Sequence, residues 1–472
     1  MRIRFVWGLT AAIGGALLWR KMRKKALSQR WEQHMSESER DSRSARTRIV
    51  ILGGGFGGLA TALRLEKELG AAEDVSILVI DRDNDLLFTP LLWTVAAGRT
   101  NPNDVIVPIR DFQKGRRFHV LHAEVEQIEL EQKIVHTSAG ARPYDILVIA
   151  LGSNTVVPNL PGLRELALGF RTPADALQLR NHLIDAIEAA HHTDDPVQQQ
   201  AWLTFVVGGA GDTGVELAAI IQDYLMAGLF DEYPWLVEAP IRVIVVGRAE
   251  RLLPMSEPAT TKVVERVLQK EGIEVLTRTS ITGVTRTSVQ TSRGSIAART
   301  LFWAAGITAP EVVRRLGVSH AANGAVMVDD FLNIPGYGNV YVIGDSAWAY
   351  DSVNGHAVPP TAQAARQQGE YVGKTIAIRY MGGHAYPYRY VTLGHLALLG
   401  HHTAVARIGS WTLYGPAIWL LWHLVYLWRN PSWSKRIRLV VDWLLSAMLG
   451  RETGQLRLLS GLPQHDKVLE TA

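Results

Sequence analysis

The chain has 472 residues, 47% of them apolar and 20% charged, with a net charge of +4. That length suits about three domains of roughly 150 residues each; the composition excludes disorder, and so small a charge implies no nucleic-acid partner. With no cysteine there is no disulfide, thiolate metal site, iron–sulfur cluster or redox-active dithiol, and no metal site is read elsewhere.

Residues 5–19 are an uncharged apolar run. As a helix it would span about 22 Å, short of the ~30 Å hydrocarbon core. The heavier positive charge (Arg20, Lys21, Arg23, Lys24, Lys25) follows the run, and no small-residue cleavage site sits between. The pattern predicts an uncleaved anchor with the following chain on the cytoplasmic face; the alternative is a cleaved or soluble segment. Residues 28–47 read as a polar linker.

The stretch "RIVILGGGFGGLATAL" (48–63) has an apolar strand, then Gly53, Gly55 and Gly58 in G-x-G-x-x-G spacing, with Phe56 and Gly57 between, then a helical period. One glycine permits the tight turn, the next admits a pyrophosphate to the backbone, and the third lets helix pack on strand. The helix N-terminus offers N–H groups and partial positive charge to phosphates. The next strand, "VSILVID", ends in Asp81, where a carboxylate accepts from ribose hydroxyls. Together these predict a dinucleotide site.

The same build recurs at "FVVGGAGDTGVEL" (205–217), with Gly209, Gly211, Thr213 and Gly214. Its helix is expected from about Asp212 to Met226, with Glu216 in the first turn. The following strand, "IRVIVV", ends in Gly247 and Arg248 instead of an acid. An arginine there suits a 2′-phosphate, as in NADPH; alternatively Arg248 is solvated, and Glu250 or water serves the ribose. Two segments, 118–137 and 274–294, alternate in the strand manner and read as β-meanders.

Residues 411–428 carry one ionisable group, His423, and six of the 14 tryptophans fall between Trp411 and Trp443. Arg429, Lys435, Arg436 and Arg438 follow, then the apolar stretch 439–449. Two apolar helices with aromatic and basic edges predict an in-plane contact with a membrane lipid surface. A homodimer interface or a buried hairpin is the alternative. His423 reads as a packed or interfacial histidine.

From residue 48 to about 445 the sequence resembles the two-dinucleotide-binding-domain flavoproteins, and within them the type II NADH dehydrogenases, or non-pumping NADH:quinone oxidoreductases. The resemblance rests on ordered motifs: "ILGGGFGGLATAL", "LLFTPLLWTVAAG", "YDILVIALGS", "VVGGAGDTGVELA", "LFWAAGI", "NVYVIGDSA" and "PPTAQAARQQGEYV". It implies FAD in the first cradle and NADH or NADPH in the second. On the flavin side it implies Gly152, Gly344 and Asp345, with Thr89, Pro90, Ala362 and Gln363 flanking the ring. Glu216, Ala305 and Gly306 are implied beside the nicotinamide, and Gln363 and Gln367 at the quinone pocket. The missing acid at Gly247 departs from NADH preference.

The expected fold is α/β, two Rossmann-like dinucleotide-binding domains plus a C-terminal membrane-associating helical segment. The N-terminal anchor and linker take 1–47. A discontinuous FAD-binding domain takes 48–160 and 320–385, with the NAD(P)H-binding domain inserted at 161–319 and the membrane-associating region at 386–472. Hydride transfer needs nicotinamide C4 about 3–3.5 Å from flavin N5, and the cofactors carry that chemistry. Without a dithiol, the electrons must go to another acceptor, and greasy chain ends fit a quinone. Gln363 and Gln367 would orient it, leaving protons to water or Glu216. The competing functions are a ferredoxin- or rubredoxin-type reductase, which gives no reason for the apolar C-terminus, and a redox-sensing nucleotide-binding protein with little turnover.

Overall fold

The computed structural model describes residues 47–229, 232–400 and 402–456. The apolar run at 5–19 and the linker as far as residue 46 lie outside the described residues.

Two parallel sheets form the body. The first has six strands in the order Asn333–Ile334, Tyr337–Val342, Ile146–Ile149, Thr47–Leu52, Val75–Asp81, His119–His122. All neighbours are parallel except the hairpin at the Asn333 edge. Ile49, Val50, Ile51 and Leu52 are all buried, because both faces of this sheet are covered, which is why the strand reads as a continuous apolar run. One face is covered by the helices Phe56–Leu69 and Ala362–Tyr380. They cross closely: a Cβ on Gly369 would lie 2.2 Å from the Gly57 carbonyl oxygen.

The second sheet has five parallel strands, ordered Ala167–Leu168, Thr300–Trp303, Thr204–Gly208, Arg242–Val246, Ile273–Leu276. Its cradle helix is α-helical over Asp212–Asp223 and continues as a π-turn, Tyr224–Gly228. Two antiparallel crossings tie the units: Asn154–Thr155 pairs with Ile307–Thr308, and the Trp303 indole N–H donates to the Val156 carbonyl at 2.7 Å. Ala309, Val313 and Leu316 pack into the core beneath the first sheet, so the chain returns to that unit before residue 319.

Each segment expected as a meander divides in two. His119–His122 and Ile273–Leu276 are parallel edge strands, one on each main sheet. Only the residues after them form three-stranded antiparallel sheets. Period-two alternation is common to both arrangements and does not choose a partner strand.

The C-terminal region begins with three antiparallel strands, His395–Leu398, Ala404–Ile408 and Trp411–Gly415. Residues 411–415 are therefore strand, not the start of the apolar helix. The switch falls at Gly415, whose φ is +109°, and Pro416 opens the helix Pro416–Arg429. A second helix, Trp433–Leu449, follows. Ile418, Trp422 and Leu439 face inward, while Leu420, Leu424 and Trp428 face outward at four-residue steps, Trp428 being 74% exposed. Ile437, Val441, Leu444 and Met448 make a second exposed stripe. His423 is buried between Trp419 and Trp443, its Nδ1 2.9 Å from the Trp419 carbonyl, and burial pushes it down to about 4. The chain then straps back over the body. Arg451 meets buried Asp223 at 2.9 Å, Arg99 reaches the same carboxylate at 3.6 Å, and the Glu452 N–H donates to the Gly98 carbonyl. Among the described residues no helix is long and apolar enough to cross a membrane.

Candidate functional site

The two cradles have the same geometry. Gly53 and Gly209 hold φ of +100° and +139°, and a Cβ on either would strike the backbone of the neighbouring strand, at Ala150 and Ala304 respectively. Gly58 and Gly214 each touch the first glycine of their own cradle so closely that a Cβ would lie 1.8 Å from its carbonyl oxygen. Around Gly55 and Gly211 a Cβ would meet nothing within 4 Å. Each cradle therefore has open space on the one glycine that must admit a pyrophosphate, at the N-terminus of a helix of twelve residues or more. Both cradles fit a dinucleotide on this ground.

In the first cradle Asp81 accepts the Gly54 N–H and, at 2.7 Å, the Asp83 N–H. Burial raises its carboxyl above the usual range, and those two N–H groups oppose the rise. On the same carboxyl edge of that sheet, three strands across, Asp345 sits in the turn Gly344–Ser346, with Gly344 at φ +66°. Its Oδ2 accepts from the Ser153 hydroxyl at 2.8 Å, and the Ser346 hydroxyl donates to the Gly152 carbonyl at 2.8 Å. The Gly344 N–H donates to Gln368 Oε1 at 2.6 Å. Gln368 is buried and, together with Ser153 and Arg171, was not singled out from the sequence. Gln368 lies inside the quoted "AQAARQQ" segment, but nothing in that pattern says which glutamine turns inward.

Arg171 donates to the Ser153 carbonyl at 2.6 Å. Burial lowers its pKa, and nearby Asp345 and Asp175 resist the change. Thr89 is exposed and Pro90 half-buried in the short turn Thr89–Leu91. The adjoining Phe88 is buried and connects two regions of the molecule. Its ring lies 5.8 Å from Phe56, the first residue of the first cradle's helix, and 6.4 Å from Tyr426 of the C-terminal helix.

Ala362 opens its helix behind the Thr361 cap. Gln363 donates to the Tyr390 hydroxyl (3.2 Å) and the Val391 carbonyl (3.4 Å). Gln367 bonds Val391 twice, donating to its carbonyl at 2.8 Å and accepting its N–H at 3.2 Å. Both amides thus hold the loop that leads into the C-terminal strands. Ala305 is half-buried and Gly306 exposed. Gly306, at φ +83°, accepts the Val156 N–H across the crossing between the units. Thr213 is exposed at the second cradle.

Glu216 is where the second cradle meets the C-terminal region. Its Oε1 accepts the Leu398 N–H at 3.0 Å. Some of its surface is accessible, yet enclosure by protein atoms pushes its carboxyl up to about 8; Asp212 adds to the rise, while the Leu398 N–H and His395 oppose it. His395 Nε2 lies 2.8 Å from Asp212 Oδ1. Burial disfavours the charge on His395, but its bond to Asp212 prevails and its pKa is raised. His395 carried no signal in the sequence; folding alone brings it to the cradle.

A family model described as pyridine nucleotide-disulphide oxidoreductase matches residues 47–369, and an NDH2 C-terminal domain model matches 393–452. The type II NADH:quinone oxidoreductase Ndh of Mycobacterium tuberculosis is 33% identical over 433 residues, covering 88% of this chain and 90% of that protein. The chain belongs to the pyridine nucleotide-disulphide oxidoreductases, in their type II NADH:quinone oxidoreductase branch. The demethylphylloquinone reductase NdbB of Synechocystis is 32% identical to this type II family member over 410 residues, covering 85% of this chain and 96% of that protein. A solved structure of NDH2 from Plasmodium falciparum in complex with NADH has the same fold, with a TM-score of 0.77 at 21% identity over 87% of this chain and 100% of that one. The family's name mentions disulphides, but a chain without cysteine carries no dithiol.

Proposed function

We propose that this type II family member oxidises NAD(P)H and reduces a quinone, using FAD and pumping no protons. One observation carries the reading: a carboxyl able to hold a proton near neutral pH, Glu216, stands on the nucleotide-cradle helix and is bonded to the C-terminal domain. Held in the first cradle, FAD would supply hydride acceptance from the nicotinamide and two-electron donation to the quinone.

The chain's own groups bind, orient and protonate. The N–H groups around Gly55 and Gly211 receive the two pyrophosphates. Asp81 holds the adenosine ribose on the FAD side, and Asp345, steadied by Ser153, holds the ribityl side. Phe56, Gly57, Thr89, Pro90, Gly152, Gly344 and Ala362 shape the flavin pocket, and Thr213, Ala305 and Gly306 the nicotinamide pocket. Gln363 and Gln367 set the Val391 loop at the edge of the quinone path. Glu216 keeps a proton at pH 7 that an ordinary carboxylate would have lost.

The exposed stripes of the two C-terminal helices, with exposed Arg438 and half-buried Arg429 beside them, favour a lipid surface as the source of the quinone, while Lys435 and Arg436 turn inward to Asp104 and the Asn430 carbonyl. We place the protein on the cytoplasmic face of the membrane, held by these helices and the N-terminal run. A homodimer through the same helices is the competing use of that surface. An anaerobic titration of membrane-bound protein tests the whole reading. NADH or NADPH should bleach the flavin absorbance, and a soluble quinone should restore it. Bleaching that no quinone reverses would remove the quinone from the proposal.

A further inference from the structure

The strand after each cradle ends at a matched position. Leu52 pairs with Ile80 and Asp81 follows; Gly208 pairs with Val246 and Gly247 follows. Asp81 and Gly247 therefore occupy equivalent positions, the place where a dinucleotide presents its adenosine ribose. Their partners in the turns, Gly54 and Ala210, are equivalent too.

The carbon atoms are exchanged between the two. In the first cradle a side chain at the strand end faces a glycine, and Asp81 accepts the Gly54 N–H. In the second, Ala210 is buried and carries a methyl. A Cβ on Gly247 would lie 2.3 Å from that methyl, far inside van der Waals contact, and neither partner has a flexible end that could yield. The carboxylate is not merely missing from the second cradle; its place is filled. A ribose 2′-hydroxyl finds no carboxylate from position 247, and a 2′-phosphate meets no charge from it.

The surrounding charges point the same way. Glu250, the acid that could have served the ribose instead, is ion-paired with Arg278 at 2.9 Å. Arg251 is engaged by the Pro254 carbonyl at 3.1 Å and Thr261 Oγ1 at 3.5 Å. Arg248, next to Gly247, is exposed and makes no hydrogen bond or ion pair with any described residue. A guanidinium is always charged and meets phosphate oxygens in a two-pronged geometry.

We propose that this chain prefers NADPH to NADH, with Arg248 binding the 2′-phosphate while Ala210 and Gly247 keep a carboxylate out. The inference rests on the reading of the second cradle as the nicotinamide-nucleotide site, and it separates this chain from the relatives named for NADH.

Two measurements on the FAD-loaded, membrane-bound protein test it. The first is kcat/KM for NADPH and NADH with a soluble quinone. Wild type should favour NADPH, and Arg248→Ala should lower the NADPH-to-NADH ratio by about 10- to 100-fold, the range for one charge-assisted contact. The second needs no turnover: 2′,5′-ADP should raise the melting temperature more than 5′-ADP, and Arg248→Ala should erase the difference. The paired change Ala210→Gly with Gly247→Asp, which reopens the space and restores the acid, should move the ratio toward NADH. A ratio within about twofold of wild type in Arg248→Ala, with 2′,5′-ADP binding no better than 5′-ADP, overturns the proposal. If neither nucleotide bleaches the flavin, the underlying site reading fails and the proposal falls with it.

Discussion

The two cradles share a backbone and differ in where they place side chains. Both close on glycines that cannot take a Cβ and open on a glycine that can. Beyond that frame they diverge, and three of the differences set what each site meets. Asp81 faces Gly54, whereas Gly247 faces Ala210. Phe56 begins one helix with a ring packed on Phe88, whereas Asp212 begins the other with a carboxylate on His395. Two residues past the last glycine stand Ala60 and Glu216. Ala60 is small because the helix Ala362–Tyr380 crosses there; a Cβ on Gly369 would lie 3.0 Å from the Ala60 methyl. Glu216 reaches the C-terminal strands, where it accepts the Leu398 N–H. The phosphate-binding device is thus fixed by the turn, and the use of each site is fixed by what packs over the helix.

The largest expected effect separates the cradles outright. Gly55→Val should give a folded protein that retains no flavin, while Gly211→Val should stay yellow yet resist bleaching by either nucleotide. Absorbance at the flavin band and circular dichroism check both. Equal loss of flavin in the two variants would break the division of labour between them.

Removing the group that only the second cradle has comes next. Glu216→Gln should slow quinone reduction by about 100-fold, in the range for a lost general acid, while flavin bleaching falls far less. In wild type the quinone step should slow as pH rises through about 8, where this carboxyl loses its proton, and stopped-flow re-oxidation should show that dependence vanish in Glu216→Gln.

The same group has a stability signature of definite sign. Its pKa in the folded chain, about 8, lies above the ordinary 4.5, so between those values the folded chain holds a proton that the unfolded chain releases. This group's contribution is fully present below pH about 4.5 and is lost as pH rises to about 8. The melting temperature of the flavin-free protein should fall less across that window in Glu216→Gln than in wild type.

Asp81→Ala should weaken FAD binding by about 10-fold, since it removes a ribose acceptor and leaves the Gly54 N–H without its partner; equilibrium dialysis measures it. The smallest effect is Ala210→Gly alone. Losing one buried methyl should cost about 1 kcal/mol and lower the melting temperature by about 1 °C for a chain of this length, without touching flavin retention.

Much of this was legible in one dimension because glycine is irreplaceable where it was found. Gly53, Gly58, Gly209 and Gly214 occupy positions where a Cβ collides with backbone, so spacing alone revealed both cradles and the strands that feed them. The C-terminal apolar stripes were legible for a similar reason, since a helix with a second greasy face must use it somewhere. The strand at Trp411–Gly415 was not legible, because its aromatic residues suit strand and membrane helix alike.

Local chemistry also could not say which of Gln363, Gln367 and Gln368 turns inward, nor that His395, far along the chain, completes the environment of Asp212. Gly247 read only as a missing acid; that its place is closed by the Ala210 methyl depends on two strands lying side by side. Two phosphate-binding turns, a chain without thiol chemistry and an apolar C-terminus follow from the residue order alone, because turns, composition and periodicity are local properties. Tertiary structure decided the elevated proton affinity of Glu216 and the space around each ribose position, because burial and contact exist only after distant segments meet.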